Sequence, residues 1–184
     1  MLADTLLLFP GAGGDCSHRT LVALEDGLAG ETTVARRDFP YRKKRKGPPD
    51  RAPKLIEAVR DEAAALRAAG ADSLVLGGRS MGGRMCSMAV AHGLAASGLL
   101  LLSYPLHPPG KPDKLRVDHF AEIDVPCLFI SGDRDPFGTR AELADAVAAI
   151  THPVRLEWLD GQRHDPKGCD ETIVEIVTDW LGRL

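Results

Sequence analysis

Several short stretches of this chain are apolar at nearly every position, and longer segments with apolar residues at helical spacing separate them. The stretches are Thr5-Leu6-Leu7-Leu8-Phe9, Ser73-Leu74-Val75-Leu76, Leu99 to Leu102, and Cys127-Leu128-Phe129-Ile130. A strand with one wet face alternates apolar and polar residues. A strand without that alternation has both faces covered, as at the centre of a parallel sheet packed between helices. Two further segments are mixed. Thr33 to Arg37, and Val154, Leu156 and Trp158 alternating with Arg155 and Glu157, suit the wetter sheet edges. No apolar run approaches the length of a membrane span, so no membrane partner is expected.

The intervening helices have legible ends. Ser17 can cap a helix carrying Leu21, Leu24 and Leu28. Pro53 to Ala69 carries Leu55, Ile56, Val59 and Leu66 on one side, and Gly70 stops it. Thr139 and Glu142 form a capping box ahead of Leu143, Val147 and Ile150. Asp170 can cap a last helix with Ile173, Ile176, Val177, Trp180 and Leu181 on one face. The expectation is a single α/β domain over residues 1–184, with about six mostly parallel strands and helices on both faces. Residues 40–53 and 103–119 are dense in proline and are expected to be loops.

Composition excludes several classes. A chain of 184 residues can bury a sufficient core without a metal or disulfide staple. Its 26 acidic and 23 basic residues give a net charge of −3, so no nucleic-acid partner is expected. The cysteines at 16, 86, 127 and 169 make no Cys-x-x-Cys pair and no zinc-type spacing. Met1-Leu2-Ala3-Asp4 holds no basic region of a secretory signal. Free thiols in a reducing cytoplasm are expected.

The sharpest chemical signal is Gly78-Arg79-Ser80-Met81-Gly82, between a strand and a helix that Gly93 can end. In that context Gly-x-Ser-x-Gly is a nucleophile elbow. The tight turn aims Ser80 out at the carboxyl end of the sheet, above a helix N-terminus that favours developing negative charge. A serine hydroxyl needs a base, and the base needs an orienting acid. Gly132-Asp133-Arg134-Asp135-Pro136 follows the next-to-last strand, and Gly161-Gln162-Arg163-His164-Asp165 follows the last. Asp135 is the expected acid, with Asp133 as the alternative, and His164 is the expected base. His92, His119 and His152 sit at element boundaries; His18 and His107 follow site loops and are expected to line the site.

Pro10-Gly11-Ala12-Gly13-Gly14 directly follows the first strand. Backbone N–H groups here can stabilise the oxyanion of a tetrahedral intermediate, the expected donors being Met81 and Ala12. A rival reading is a dinucleotide loop: Gly11 and Gly13 fit, Asp38 lies where a ribose-binding acid belongs, but Cys16 takes the third glycine's place. Arg79 and Arg84 flank the nucleophile and either brace the elbow or hold an anionic substrate. The basic run Arg42 to Lys46 reads as a solvated loop, with an acidic partner as the alternative.

These residues resemble the α/β-hydrolase superfamily, and more narrowly its small dienelactone-hydrolase-like proteins. The nearest resemblance is to the group classed with a regulatory subunit of the NSL histone-acetyltransferase complex. Four stretches carry it: Phe9-Pro10-Gly11-Ala12-Gly13, Gly77-Gly78-Arg79-Ser80-Met81-Gly82-Gly83-Arg84, Ser103-Tyr104-Pro105-Leu106-His107-Pro108-Pro109-Gly110-Lys111-Pro112, and Ser131-Gly132-Asp133-Arg134-Asp135-Pro136-Phe137-Gly138. The resemblance implies a minimal, lidless α/β-hydrolase fold and a triad of Ser80, Asp135 and His164, with no metal or organic cofactor. It implies a monomer or homodimer acting on a small acyl substrate (an ester, thioester or lactone). Gly11, Arg79, Tyr104 and His107 are the expected substrate-binding residues, with loop 103–112 as one wall. By the same resemblance, the first two strands of larger hydrolases are expected to have no counterpart here. Some members of the narrower group look like binding proteins, so the alternative is a non-catalytic hydrolase fold.

Overall fold

The computed structural model describes residues 3–44 and 48–184. Its strands are β1 (Thr5–Phe9), β2 (Thr33–Arg36), β3 (Leu74–Arg79), β4 (Gly98–Leu102), β5 (Cys127–Gly132) and β6 (Val154–Leu159). They form one sheet in the order β2-β1-β3-β4-β5-β6, and every pairing is parallel. The helices are α1 (Arg19–Gly27), α2 (Ala52–Ala68), α3 (Met81–Ala91), α4 (Arg140–Val147) and α5 (Asp170–Leu181).

Period-two geometry divides the apolar runs between two cores. Leu7, Phe9, Leu76, Leu101 and Phe129 face α2, α3 and α4, meeting Val59, Met85 and Leu143. Leu6, Leu8, Val75, Leu100 and Leu128 face α1 and α5, meeting Leu21, Leu24, Ile173 and Val177. Burial of each such leucine or phenylalanine contributes roughly 1.5–3 kcal/mol. The mixed strands β2 and β6 occupy the two edges, as expected. On β6, Arg155 pairs with Glu157 at 2.7 Å, and Arg140 lies over the Trp158 ring.

Some local readings shift. α1 is capped by His18, whose ring accepts from the Thr20 N–H, because the Ser17 hydroxyl is taken by Asp15. α5 is preceded by Cys169, so Asp170 is its first residue and not its cap; the Thr20 hydroxyl donates to Asp170 at 2.6 Å and ties α1 to α5. Pro40–Lys44 is a 3-10 turn within the expected loop, since proline is tolerated in a first helical turn. Arg42 reaches Asp15 at 3.5 Å; residues 45–47, the end of the basic run included, lie outside the described residues. The capping box at Thr139 and Glu142 is formed.

Chain order positions the site. β1 leads to β2 on one side, and α2 then carries the chain back to β3 on the other side of β1. The loops after β1 and β3 therefore diverge at the carboxyl ends of adjacent strands and open a crevice. Between β4 and β5 the described residues contain only a 3-10 turn, Phe120–Glu122, and no lid-sized insertion.

One buried polar group makes the fold sensitive to acid. The His119 ring is 2.8 Å from the Ser87 hydroxyl. Burial, with the charges of Arg84 and His92 and against Asp118, lowers its pKa to about 4. The unfolded chain takes this proton near pH 6.5, before the folded one does. Stability is therefore full above that pH and falls as pH drops towards 4. Thermal melts at pH 7 and 4.5 are expected to show His119→Gln losing less stability than the parent, by up to about 3 kcal/mol.

Candidate active site

Ser80 joins β3 to α3 with φ 51° and ψ −116°, a left-handed conformation that a non-glycine residue rarely adopts. Its N–H donates to the Leu102 carbonyl at 2.8 Å, so the β4 strand holds the turn. The elbow glycines are needed for close approach. A Cβ on Gly82 would run into the Phe9 carbonyl oxygen and sit 2.7 Å from that of Pro10. Gly82→Ala should therefore cost about 3 kcal/mol, lowering Tm by about 10 °C. Gly13→Ala, whose Cβ meets nothing within 4 Å, should leave Tm unchanged; differential scanning calorimetry reads both.

His164, on the loop after β6, places Nε2 2.8 Å from the Ser80 Oγ and Nδ1 2.8 Å from Asp135 Oδ2. The Asp135 side chain is 2% exposed. Its other oxygen accepts the Phe137 N–H at 2.9 Å. Asp133, the alternative acid, lies instead 3.8 Å from Arg140. The Phe137 ring stacks on the imidazole with centroids 4.0 Å apart. Sequence reasoning missed Phe137; its only signal was its place two residues after Asp135.

The loop after β1 lies across from Ser80. Gly11 is buried beside it, where a Cβ would come within 3.5 Å of the Ser80 Cβ. Ala12 and Met81 both border the cavity at Ser80. The Met81 N–H opens α3 and has no helical carbonyl to bond. Tyr41, absent from the sequence reading, donates its hydroxyl to the Ala12 carbonyl at 2.9 Å and steadies this loop. Asp38, the ribose ligand of the rival reading, accepts the Cys16 N–H at 2.7 Å and so serves the loop's own turn.

The cavity over Ser80 measures about 450 Å³. Pro105, Phe137 and Arg116 form its far wall. Tyr104 and His107 do not border it. Tyr104 is 2% exposed, packs edge-on against Phe120 and Phe129, and donates to the Arg116 carbonyl at 2.8 Å. His107 is also buried, its ring between the Pro108 carbonyl and Glu142. The loop 103–112 does reach the cavity, but through Pro105, because the two larger side chains turn inward to fill the core. His18 likewise faces Asp165, 3.2 Å away, away from the cavity.

Arg79 acts mainly on the loop that carries His164. It donates to the His164 carbonyl at 2.8 Å and lies 3.4 Å from Asp165. Arg19 and His18 meet the same carboxylate. Partial burial raises the Asp165 pKa, but its bond to Arg19 and the charges of Arg79 and Arg19 outweigh this and hold it below the usual range. Asp165 was overlooked in the sequence, although it directly follows the histidine.

A parallel sheet with this strand order, a serine elbow after β3 and site loops at the carboxyl ends of β1, β5 and β6 make up the α/β-hydrolase fold. The chain belongs to the family described as alpha/beta hydrolase domain, whose model matches residues 3–173. Its fold is similar to that of Est1E from Butyrivibrio proteoclasticus (15% identity, TM-score 0.78, covering 99% of this chain and 88% of that one). It is also similar to a dienelactone hydrolase from Anabaena variabilis (16% identity, TM-score 0.80, 99% and 87%). A third similar structure is the RedJ thioesterase of prodiginine biosynthesis in Streptomyces coelicolor (19% identity, TM-score 0.72, 100% and 91%).

Proposed function

We propose that this protein is a serine hydrolase of carboxylic esters, thioesters or lactones, acting as a single domain through an acyl-enzyme. The observation that carries this reading is the unbroken line from Ser80 Oγ through the His164 ring to Asp135, with both contacts at 2.8 Å. Ser80 Oγ attacks the carbonyl carbon while His164 Nε2 takes its proton. The carbonyl π bond opens, and its electron pair moves to the oxygen, held by the Met81 and Ala12 N–H groups. Collapse expels the alcohol or thiol, which leaves with the proton from His164. Water then repeats the sequence and releases the acid and free Ser80. Asp135 holds the imidazole in the tautomer that leaves Nε2 free to accept.

The thioesterase, dienelactone-hydrolase and lipolytic-enzyme names among the similar structures support the acyl class. So does the motif resemblance to small dienelactone-hydrolase-like proteins, and the lidless crevice suits a small acyl group. The four free cysteines suit a reducing cytoplasm. A fluorophosphonate probe is the direct test. It is expected to label the parent protein at Ser80 and not the Ser80→Ala variant. Folded parent protein that resists the probe and hydrolyses no acyl ester would instead support a non-catalytic binding role.

A further inference from the structure

The cavity over Ser80 is cationic although the chain carries a net charge of −3. Three arginines border it and no carboxylate does. Arg79 is accounted for by Asp165 and the His164 carbonyl. Arg84 and Arg116 are not. Several other arginines are paired: Arg36 with Glu25, Arg37 with Glu62, and Arg155 with Glu157 and Asp179. Among the described residues no carboxylate pairs with Arg84 or Arg116. Asp118 and Glu122 border an adjoining depression that shares both arginines, and neither forms an ion pair with them.

These two guanidiniums are partly buried and stand at one another's side. Arg84 Nε is buried with no hydrogen-bond partner. Burial, and next the positive charge of Arg84, disfavour the charged form of Arg116. Holding two like charges together, partly desolvated and without a counter-ion, costs free energy that a bound anion would relieve. Guanidinium forks match a carboxylate with two parallel N–H···O bonds.

We infer that Arg84 and Arg116 form an anion subsite of the site at Ser80, and that the substrate carries a carboxylate or similar anion near its scissile carbonyl. This rests on the hydrolase reading above. Arg84 follows Ser80 by one helical turn on α3, a rise of about 6 Å. The anion therefore sits a few bonds from the reacting carbon. It can belong to the acyl part, as in a half-ester of a dicarboxylic acid, or to the leaving group.

Two matched pairs of esters distinguish these sources. Mono-p-nitrophenyl adipate against p-nitrophenyl hexanoate tests the acyl side. The butanoate ester of 3-hydroxybenzoate against phenyl butanoate tests the leaving-group side. The parent should favour the charged member of one pair by tenfold or more in kcat/KM, mainly through KM. Arg84→Gln and Arg116→Gln should each lower that charged-to-neutral ratio by about 10- to 100-fold, with Arg84→Lys restoring part of it. A parent ratio near or below one in both pairs, or a ratio unmoved by either glutamine variant, overturns the subsite. Calorimetric titration of adipate into Ser80→Ala protein, with and without Arg84→Gln, reads binding independently of turnover. Arginine-dependent binding without any ester hydrolysis would keep the anion subsite and overturn the hydrolase reading instead. Absence of binding together with absence of a charge preference overturns the subsite.

Discussion

Ser80→Ala protein is expected to fold like its parent and to turn over acyl esters about 10⁶-fold more slowly. Among the described residues Ser80 Oγ is the hydroxyl that contacts His164 Nε2, so removing it leaves the imidazole without a nucleophile in place. Cys16 and Asp38 are engaged with each other, and Cys86 and Cys127 are buried in the sheet core, their thiols pushed up by burial. The substitution also relieves nothing structural, since Ser80 makes its fold-holding contact through its N–H to Leu102 and keeps its positive φ as alanine. Steady-state rates on a p-nitrophenyl ester, with circular dichroism for the fold, check this. A loss under a hundredfold would show that Ser80 is not the nucleophile.

Asp135→Asn should lower kcat by about 10⁴ while leaving the fold intact. Both Asp135 oxygens are engaged: one accepts the Phe137 N–H and the other faces His164 Nδ1. An asparagine has one oxygen for these two donors. If that oxygen stays on the Phe137 N–H, the amide N–H₂ faces Nδ1 and forces it to accept. The ring proton then moves to Nε2, which can no longer take the proton of Ser80. If the amide flips, its N–H₂ opposes the Phe137 N–H and disturbs the ring stacked on His164. Asp133→Asn, by contrast, touches only the neighbourhood of Arg140 and should leave kcat within about threefold of the parent. Equal effects of the two substitutions would remove Asp135 from its proposed role.

Much of this could be read from residue order, because the features concerned are local. Leu6 to Phe9 and Leu99 to Leu102 lack polar alternation because helices cover both faces of their strands, and each residue type records its own burial. Arg155 and Glu157 mark an edge for the same reason. The glycines around Ser80 announce a turn whose backbone leaves no room for a side chain. Ser80, Asp135 and His164 could be picked out as neighbours because each follows a strand, and parallel strands all end at the same side of the sheet.

Other features depend on which distant segments become neighbours. Asp133 and Asp135 have the same local context, and only the approach of the β6 loop makes Asp135 the partner of His164. Tyr104 and His107 read as wall residues, yet the core behind Pro105 had space for them and the cavity receives the proline. Ser17 and Asp170 looked like caps until Asp15 and Thr20 competed for their oxygens. Phe137 against the imidazole, Tyr41 under the Ala12 loop and Arg116 beside Arg84 join residues far apart in the chain. Periodicity and turn chemistry depend on neighbours within one or two turns, so the strands, helices and nucleophile elbow were written in the chain itself. Choices between chemically equivalent side chains were left to packing, because their energies depend on surfaces that exist only once the sheet has closed against its helices.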